Sequence, residues 1–216
     1  MSTTSQTQGP QVPPLLEETI GQTLRRIAQR FGEREALVSR HQDRRLTYAQ
    51  LDAEVDRLAR GLLAAGLAQG DRVGIWSPNG AEWALAQLAT ARAGVILVTI
   101  NPAYRTTELV YALNQSGCRL LIAARSFKSS DYAAMVDEVR DELATVEHVV
   151  WIGDTSWDAL VAGGDEVADE ALAAREAALA PTDAINIQYT SGTTGAPKGA
   201  TLSHRNILNN GYLVGV

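Results

Sequence analysis

The chain has 216 residues, 45% of them hydrophobic and 20% charged, a balance that fits one globular domain or one domain and part of a second. Nineteen basic side chains against 25 acidic ones leave a net charge of −6. Such a chain lacks the surplus of cations that phosphate neutralisation on nucleic acid demands, which argues against a nucleic-acid partner. Its longest strongly apolar stretch, residues 94–100, is far below the ~20 residues that span a bilayer.

Residues 1–14 are polar, contain Pro10, Pro13 and Pro14, and have neither the basic nor the apolar region of a secretory signal; they read as a disordered tail. Around Arg45-Leu-Thr-Tyr48 a short strand gives way to a helix. Thr47 and Gln50 form a capping-box pair, Leu51, Val55, Leu58 and Leu62 follow at helical spacing, and Gly66 and Gly70 end the segment. Runs of strand length come next, at residues 72–76, 95–98, 120–123 and 149–152. Helical segments lie between them: 81–93 after a candidate cap at Asn79, 108–115 after Thr106 and Thr107, and 131–143 after Ser129 and Ser130. The last places Tyr132, Met135, Val139 and Leu143 in one stripe, the packing face of a helix on a sheet.

Strands that are apolar almost throughout, separated by helices, predict an α/β fold: a mainly parallel sheet flanked by helices. The acidic stretch 163–170 and the Ala-rich segment to Ala180 read as a surface helix or mobile connector that stops at Pro181. A final strand, 184–189, leads into the most informative segment.

Tyr189-Thr-Ser-Gly-Thr-Thr-Gly-Ala-Pro-Lys-Gly199 concentrates hydroxyls, glycines and one lysine between that strand and a helix that Ser203 is placed to cap. Glycines let backbone N–H groups turn toward an anion. The hydroxyls of Thr190, Ser191, Thr193 and Thr194 add donors, and Lys198 adds a mobile charge. Such a set suits a triphosphate whose pyrophosphate must be stabilised as it leaves. The Walker pattern G-x-x-x-x-G-K-S/T does not fit. Counted from Gly192, its second glycine falls on Pro197, which lacks an N–H, and its magnesium-holding hydroxyl falls on Gly199.

Thr190-Ser-Gly-Thr-Thr-Gly-Ala-Pro-Lys-Gly199 resembles the phosphate-binding signature of the adenylate-forming superfamily, which contains acyl-CoA synthetases, adenylation domains and luciferases. Leu46-Thr-Tyr-Ala-Gln-Leu-Asp52, Gly70-Asp-Arg-Val-Gly-Ile75 and Asn101-Pro-Ala-Tyr-Arg105 resemble the early part of fatty-acyl-CoA synthetases. With Gly199-Ala-Thr-Leu-Ser-His-Arg-Asn206, they look most like the medium- or long-chain fatty-acid–CoA ligases. The resemblance implies the first part of a large N-terminal domain, residues 15–216, with its phosphate loop at 189–199.

It also implies a two-step reaction. A fatty-acid carboxylate attacks ATP to give an acyl-adenylate and pyrophosphate, and CoA thiol then displaces AMP. By the same resemblance Thr190, Ser191, Gly192, Thr193, Thr194, Gly195 and Lys198 contact the β- and γ-phosphates. Lys198 stabilises the leaving group, and a loop hydroxyl helps hold Mg²⁺ with ATP. No dedicated protein metal site is expected.

Family enzymes run to more than twice this length. The expectation is therefore an N-terminal portion that is inactive alone, lacks the C-terminal domain, and self-associates through surface the remainder would cover. Two rivals stand beside the fatty-acid reading: a portion of an amino- or aryl-acid adenylating enzyme, and a non-catalytic module that binds nucleotide or a partner.

Single residues complete the reading. Cys118, the one cysteine, excludes an internal disulfide and heads an apolar run as a buried, inert thiol. A cytoplasmic protein is the expectation that fits these features. His41, His148 and His204 show no metal spacing; His204 is expected to orient its helix start. Trp76, Trp83, Trp151 and Trp157 are expected in the core, Arg105 in a surface ion pair, and Asp183 in a turn.

Overall fold

Apolar strands need cover on both faces, and the chain supplies helices in the order that provides it. A computed structural model describes residues 13–190 and 197–215. The first half comprises α1 (Ile20–Phe31), β1 (Glu35–Ser39), β2 (Arg44–Thr47), α2 (Tyr48–Ala64), β3 (Arg72–Trp76), α3 (Ala81–Ala93), β4 (Ile96–Thr99) and α4 (Thr106–Ser116). Then come β5 (Cys118–Ala123), β6 (Ser126–Phe127), β7 (Ser130–Asp131), α5 (Tyr132–Glu138), β8 (His148–Trp151), α6 (Thr155–Gly163) and α7 (Asp169–Ala177). The last elements are β9 (Ala184–Thr190), β10 (Lys198–Ser203) and α8 (His204–Gly215).

The central sheet has the order β10-β9-β4-β3-β5-β8, parallel throughout except for β10, which pairs antiparallel with β9 at one edge. Side chains alternate between its faces. Val73, Ile75, Leu97, Leu120 and Ile122 pack toward α2 and α3. Trp76, Val98, Leu121 and Ala123 pack toward α4 and α5. Each fully buried Leu or Ile contributes about 1.5–3 kcal/mol, so the two layers are the main source of stability. At Gly74 a Cβ would stand 2.8 Å from Leu113 Cδ2, which is why α4 can lie this close to β3.

Helix α2 forms as expected. Thr47 Oγ1 accepts from the Gln50 N–H, Gln50 returns the bond to the Thr47 N–H, and Leu51, Val55, Leu58 and Leu62 are buried. Gly66 and Gly70 adopt positive φ of 79° and 83° in the turn that follows. Helix α1 had no expected counterpart, although Thr19 and Gln22 form the same kind of box. Helix α3 spans Ala81–Ala93 as expected, but its cap is not Asn79. Gly80 sits there instead, and the Ala81 N–H is met by Gln42 Oε1 at 2.8 Å. Helix α4 begins at Thr106, and the Arg105 N–H donates to Glu108. Helix α5 stops at Glu138 and is followed by a single 3₁₀ turn, Arg140–Glu142. Its buried line therefore runs Tyr132, Val136, Val139 and Leu143, while Met135 is half-buried. The Tyr132 ring stacks on Trp76, with centroids 3.6 Å apart and planes at 9°.

The Ala-rich segment is pinned in place. Leu172 is buried, and Glu176 joins Asp52 and Asp56 around the guanidinium groups of Arg25 and the fully buried Arg92. The acidic stretch is engaged within the chain, through Arg57–Asp165 and Arg60–Asp169. Cys118 is buried, and its thiol is pushed up to about 12 by desolvation. Trp76 is in the core, whereas Trp83, Trp151 and Trp157 are half-buried. An apolar groove of about 590 Å³ runs between α1, α3 and α8, lined by Leu16, Ile20, Leu88 and Ile207 among others.

Candidate phosphate-binding site

Parallel strands point their C-terminal ends to one edge, and ligands of open α/β sheets bind there. Strand β9 runs parallel to β4, with Gln188 level with Thr99, and ends at Thr190 on that edge. The chain comes back as β10, with Lys198 opposite Thr190 and Gly199 opposite Tyr189. The two ends of the phosphate segment thus stand side by side, and Thr190 Oγ1 approaches the Lys198 carbonyl at 3.5 Å. Thr190 and Lys198 are both exposed. Ser191, Gly192, Thr193, Thr194 and Gly195 lie outside the described residues.

The return strand itself corrects the sequence reading, in which the loop ran directly to the helix. Lys-Gly-Ala-Thr-Leu-Ser has little β-branched or aromatic character and is mostly exposed, so only its pairing with β9 makes it a strand. Ser203 does cap α8: its Oγ accepts from the Asn206 N–H, and Asn206 Oδ1 accepts from the Ser203 N–H.

Both stems are fastened. At the base, the His204 N–H donates to the Asp183 carbonyl and the Arg205 N–H donates to the Pro181 carbonyl. His204 is fully buried, and its Nδ1 accepts from the Ile20 N–H at 3.2 Å. Burial lowers its pKa to about 4, with Asp183 opposing the shift. The imidazole therefore sits inside the fold and joins the start of α8 to the first residue of α1. Asp183 Oδ2 closes a turn by accepting from the Ala180 N–H.

At the loop end, the stems are tied to α4. Tyr189 Oη lies 3.1 Å from the Ala112 carbonyl and 3.0 Å from Gln115 Oε1. Gln115 Nε2 donates to Tyr111 Oη at 2.8 Å, and Tyr111 Oη donates to the Pro197 carbonyl at 3.2 Å. The Tyr189 pKa is raised by desolvation, which keeps its phenol a donor. Tyr111 and Gln115 escaped the sequence reading because their partners lie some 75 to 90 positions away along the chain.

Arg105 also lies on this edge but forms no ion pair among the described residues; its Nη1 donates to Ser130 Oγ at 3.1 Å. No cluster of His, Cys, Asp or Glu among the described residues could hold a metal, and no described helix is long and apolar enough to cross a membrane.

Comparison with known proteins decides the family. Residues 24–215 match the AMP-binding enzyme family. The chain belongs to that family. It is 44% identical to the human medium-chain acyl-CoA ligase ACSF2, mitochondrial, over 93% of this chain and 36% of the relative. The AMP-binding chain thus spans about a third of the length of that curated relative. Among solved structures it resembles the inhibitor-bound N-terminal domain of FACL13 from Mycobacterium tuberculosis. The TM-score is 0.72 at 33% identity, over 87% of this chain and 44% of the other. The long-chain-fatty-acid-CoA ligase FadD1 from Archaeoglobus fulgidus shares the fold, with a TM-score of 0.77 at 24% identity over 94% of this chain and 40% of the other.

Proposed function

We propose that the chain supplies the triphosphate-holding edge of an ATP-dependent fatty-acid–CoA ligase acting on medium- or long-chain acids. The observation that carries this reading is the pair of stems, Thr190 ending β9 and Lys198 opening β10 where the parallel strands end, at the two ends of a Gly/Ser/Thr/Lys sequence. In the reaction proposed, a fatty-acid carboxylate attacks the α-phosphorus of ATP and the bond to pyrophosphate breaks. CoA thiol then attacks the acyl carbon and AMP leaves.

Thr190, Ser191, Gly192, Thr193, Thr194 and Gly195 donate to the β- and γ-phosphates, and Lys198 neutralises charge as it accumulates on pyrophosphate. The donor set fits Mg²⁺ carried in with ATP: hydroxyl oxygens at Thr190 and its neighbours in sequence, and among the described residues no carboxylate cage to hold the ion without nucleotide. Bound there, the ion neutralises phosphate charge. Residues 15–216 act as the partial AMP-binding domain in this reading, with 1–14 as a tail ahead of it. A cytoplasmic location belongs to it too, and cell fractionation checks that against the mitochondrial name of the vertebrate relative.

The test is a chimera in which residues 1–216 replace the matching third of a medium-chain ligase. ATP–pyrophosphate exchange should appear with fatty acids and vanish in Lys198→Ala, while the 216-residue chain alone stays silent. Exchange driven by aryl or amino acids would favour the other adenylating class. A chimera that folds but never exchanges would favour a non-catalytic module. Self-association is checked by sedimentation velocity; a coefficient independent of concentration removes it.

A further inference from the structure

The chain of hydrogen bonds from α4 to the loop stems has a geometry that packing alone does not require. Tyr111 and Gln115 are one turn apart on α4, so both side chains leave the same face of the helix. Tyr189 binds that face from the end of β9, and the Pro197 carbonyl binds it from the residue before Lys198. The Tyr111 and Tyr189 rings meet edge to face, with centroids 6.4 Å apart. Three side chains thus connect the two ends of one loop through an element that belongs to neither.

Strand β10 has little else to fix it at this end. It is the edge of the sheet, and its first four residues are exposed. Among the described residues, the other ties on Lys198 are the ladder to β9 and the long Thr190 Oγ1 contact with its carbonyl.

We propose that Tyr111, supported by Gln115 and Tyr189, is a positioning residue that sets the aim of Lys198 on the ATP phosphates. The proposal rests on the phosphate-binding reading given above. Tyr111 touches no phosphate in it. Its hydroxyl holds the Pro197 carbonyl, and the ring of Tyr189 fixes the hydroxyl's height above α4. A bond of this kind is worth a few-fold to about tenfold in the population of the correct geometry.

The experiment compares Tyr111→Phe with Tyr132→Phe. Each deletes one phenolic hydroxyl bonded to a backbone carbonyl, but Tyr132 binds the Pro102 carbonyl, which belongs to neither stem of the loop. MgATP binding is measured by calorimetry, and amide hydrogen exchange is followed over residues 198–200. Tyr111→Phe should weaken MgATP binding about three- to tenfold and speed exchange at residues 198–200, and Tyr132→Phe should do neither. Equal effects of the two variants on binding and exchange would overturn the proposal. If the unaltered chain and Lys198→Ala show the same MgATP affinity, or none, the phosphate reading fails. The exchange comparison then still decides whether Tyr111 holds the loop stem: faster exchange in Tyr111→Phe alone upholds that positioning, and equal exchange overturns it.

Discussion

Replacing Arg92 with Met keeps most of the side-chain volume and removes the charge at the centre of the ion cluster. Arg92 is fully buried. Its Nη1 donates to Asp56 Oδ1 at 2.6 Å and to the Asp52 carbonyl at 3.1 Å, and its Nε lies 3.3 Å from Glu176. Breaking a buried pair from one side costs about 3–5 kcal/mol, because the partner's charge is left uncompensated. Here the carboxylates keep 13–29% of their side-chain exposure, and Arg25 still binds Asp56 and Glu176. The lower end applies, about 3 kcal/mol. For a chain of this size that is a fall in Tm of about 6–12 °C. Urea and thermal unfolding of Arg92→Met measure it. Adding Asp52→Asn removes the carboxylate that Arg25 reaches only at 3.9 Å and should recover about 1 kcal/mol. A loss below about 1 kcal/mol with an intact cooperative transition, or no recovery in the double variant, would refute this account of the cluster.

Three further outcomes are expected. The unfolded chain protonates His204 near pH 6.5, whereas the folded chain resists until about pH 4. About 3 kcal/mol of stability is therefore present above pH 6.5 and lost as pH falls toward 4, and urea titrations should show this slope flattened in His204→Gln. Cys118 should be inert to a thiol reagent in the native chain and react stoichiometrically once unfolded; rapid native labelling would contradict its burial. Gly61→Ala would place a Cβ 2.1 Å from the Leu160 carbonyl oxygen, where α2 crosses α6. It should cost about 2–3 kcal/mol in unfolding experiments, and a neutral result would mean that the two helices are not in such close contact.

The sheet was legible because its strands are apolar on both faces and the helices between them carry their own boundaries. Val73-Gly-Ile75 or Leu120-Leu-Ile122 could pack in no half-exposed layer, and the Thr47–Gln50 box marks its helix from local sequence alone. What failed was decided at a distance. The cap of α3 was missed because the Ala81 N–H is met by Gln42, 39 positions earlier, and β10 exists because β9 is there to pair with it. The shortened α5 ends where Val139 leaves helical geometry, at φ −107° and ψ 11°, although the apolar spacing continues to Leu143. At the candidate site, the hydroxyl of Thr190 and the charge of Lys198 were readable from residue type, and their place at the end of the parallel strands came from the pairing of β9 with β10. The role of Tyr111 was not, since a tyrosine on an amphipathic helix looks the same whether it packs or positions. His204 lies between these cases: its place beside a helix cap was readable, but its bond to Ile20 was not.

Calorimetric titration of MgATP into the unaltered chain and into Lys198→Ala tests the central claim most directly. Saturable binding to the unaltered chain is expected, with competition by inorganic tripolyphosphate and a loss of about tenfold or more in the variant, the scale of one charge-assisted contact. Absence of binding, or binding that neither tripolyphosphate nor the loss of Lys198 disturbs, would contradict it.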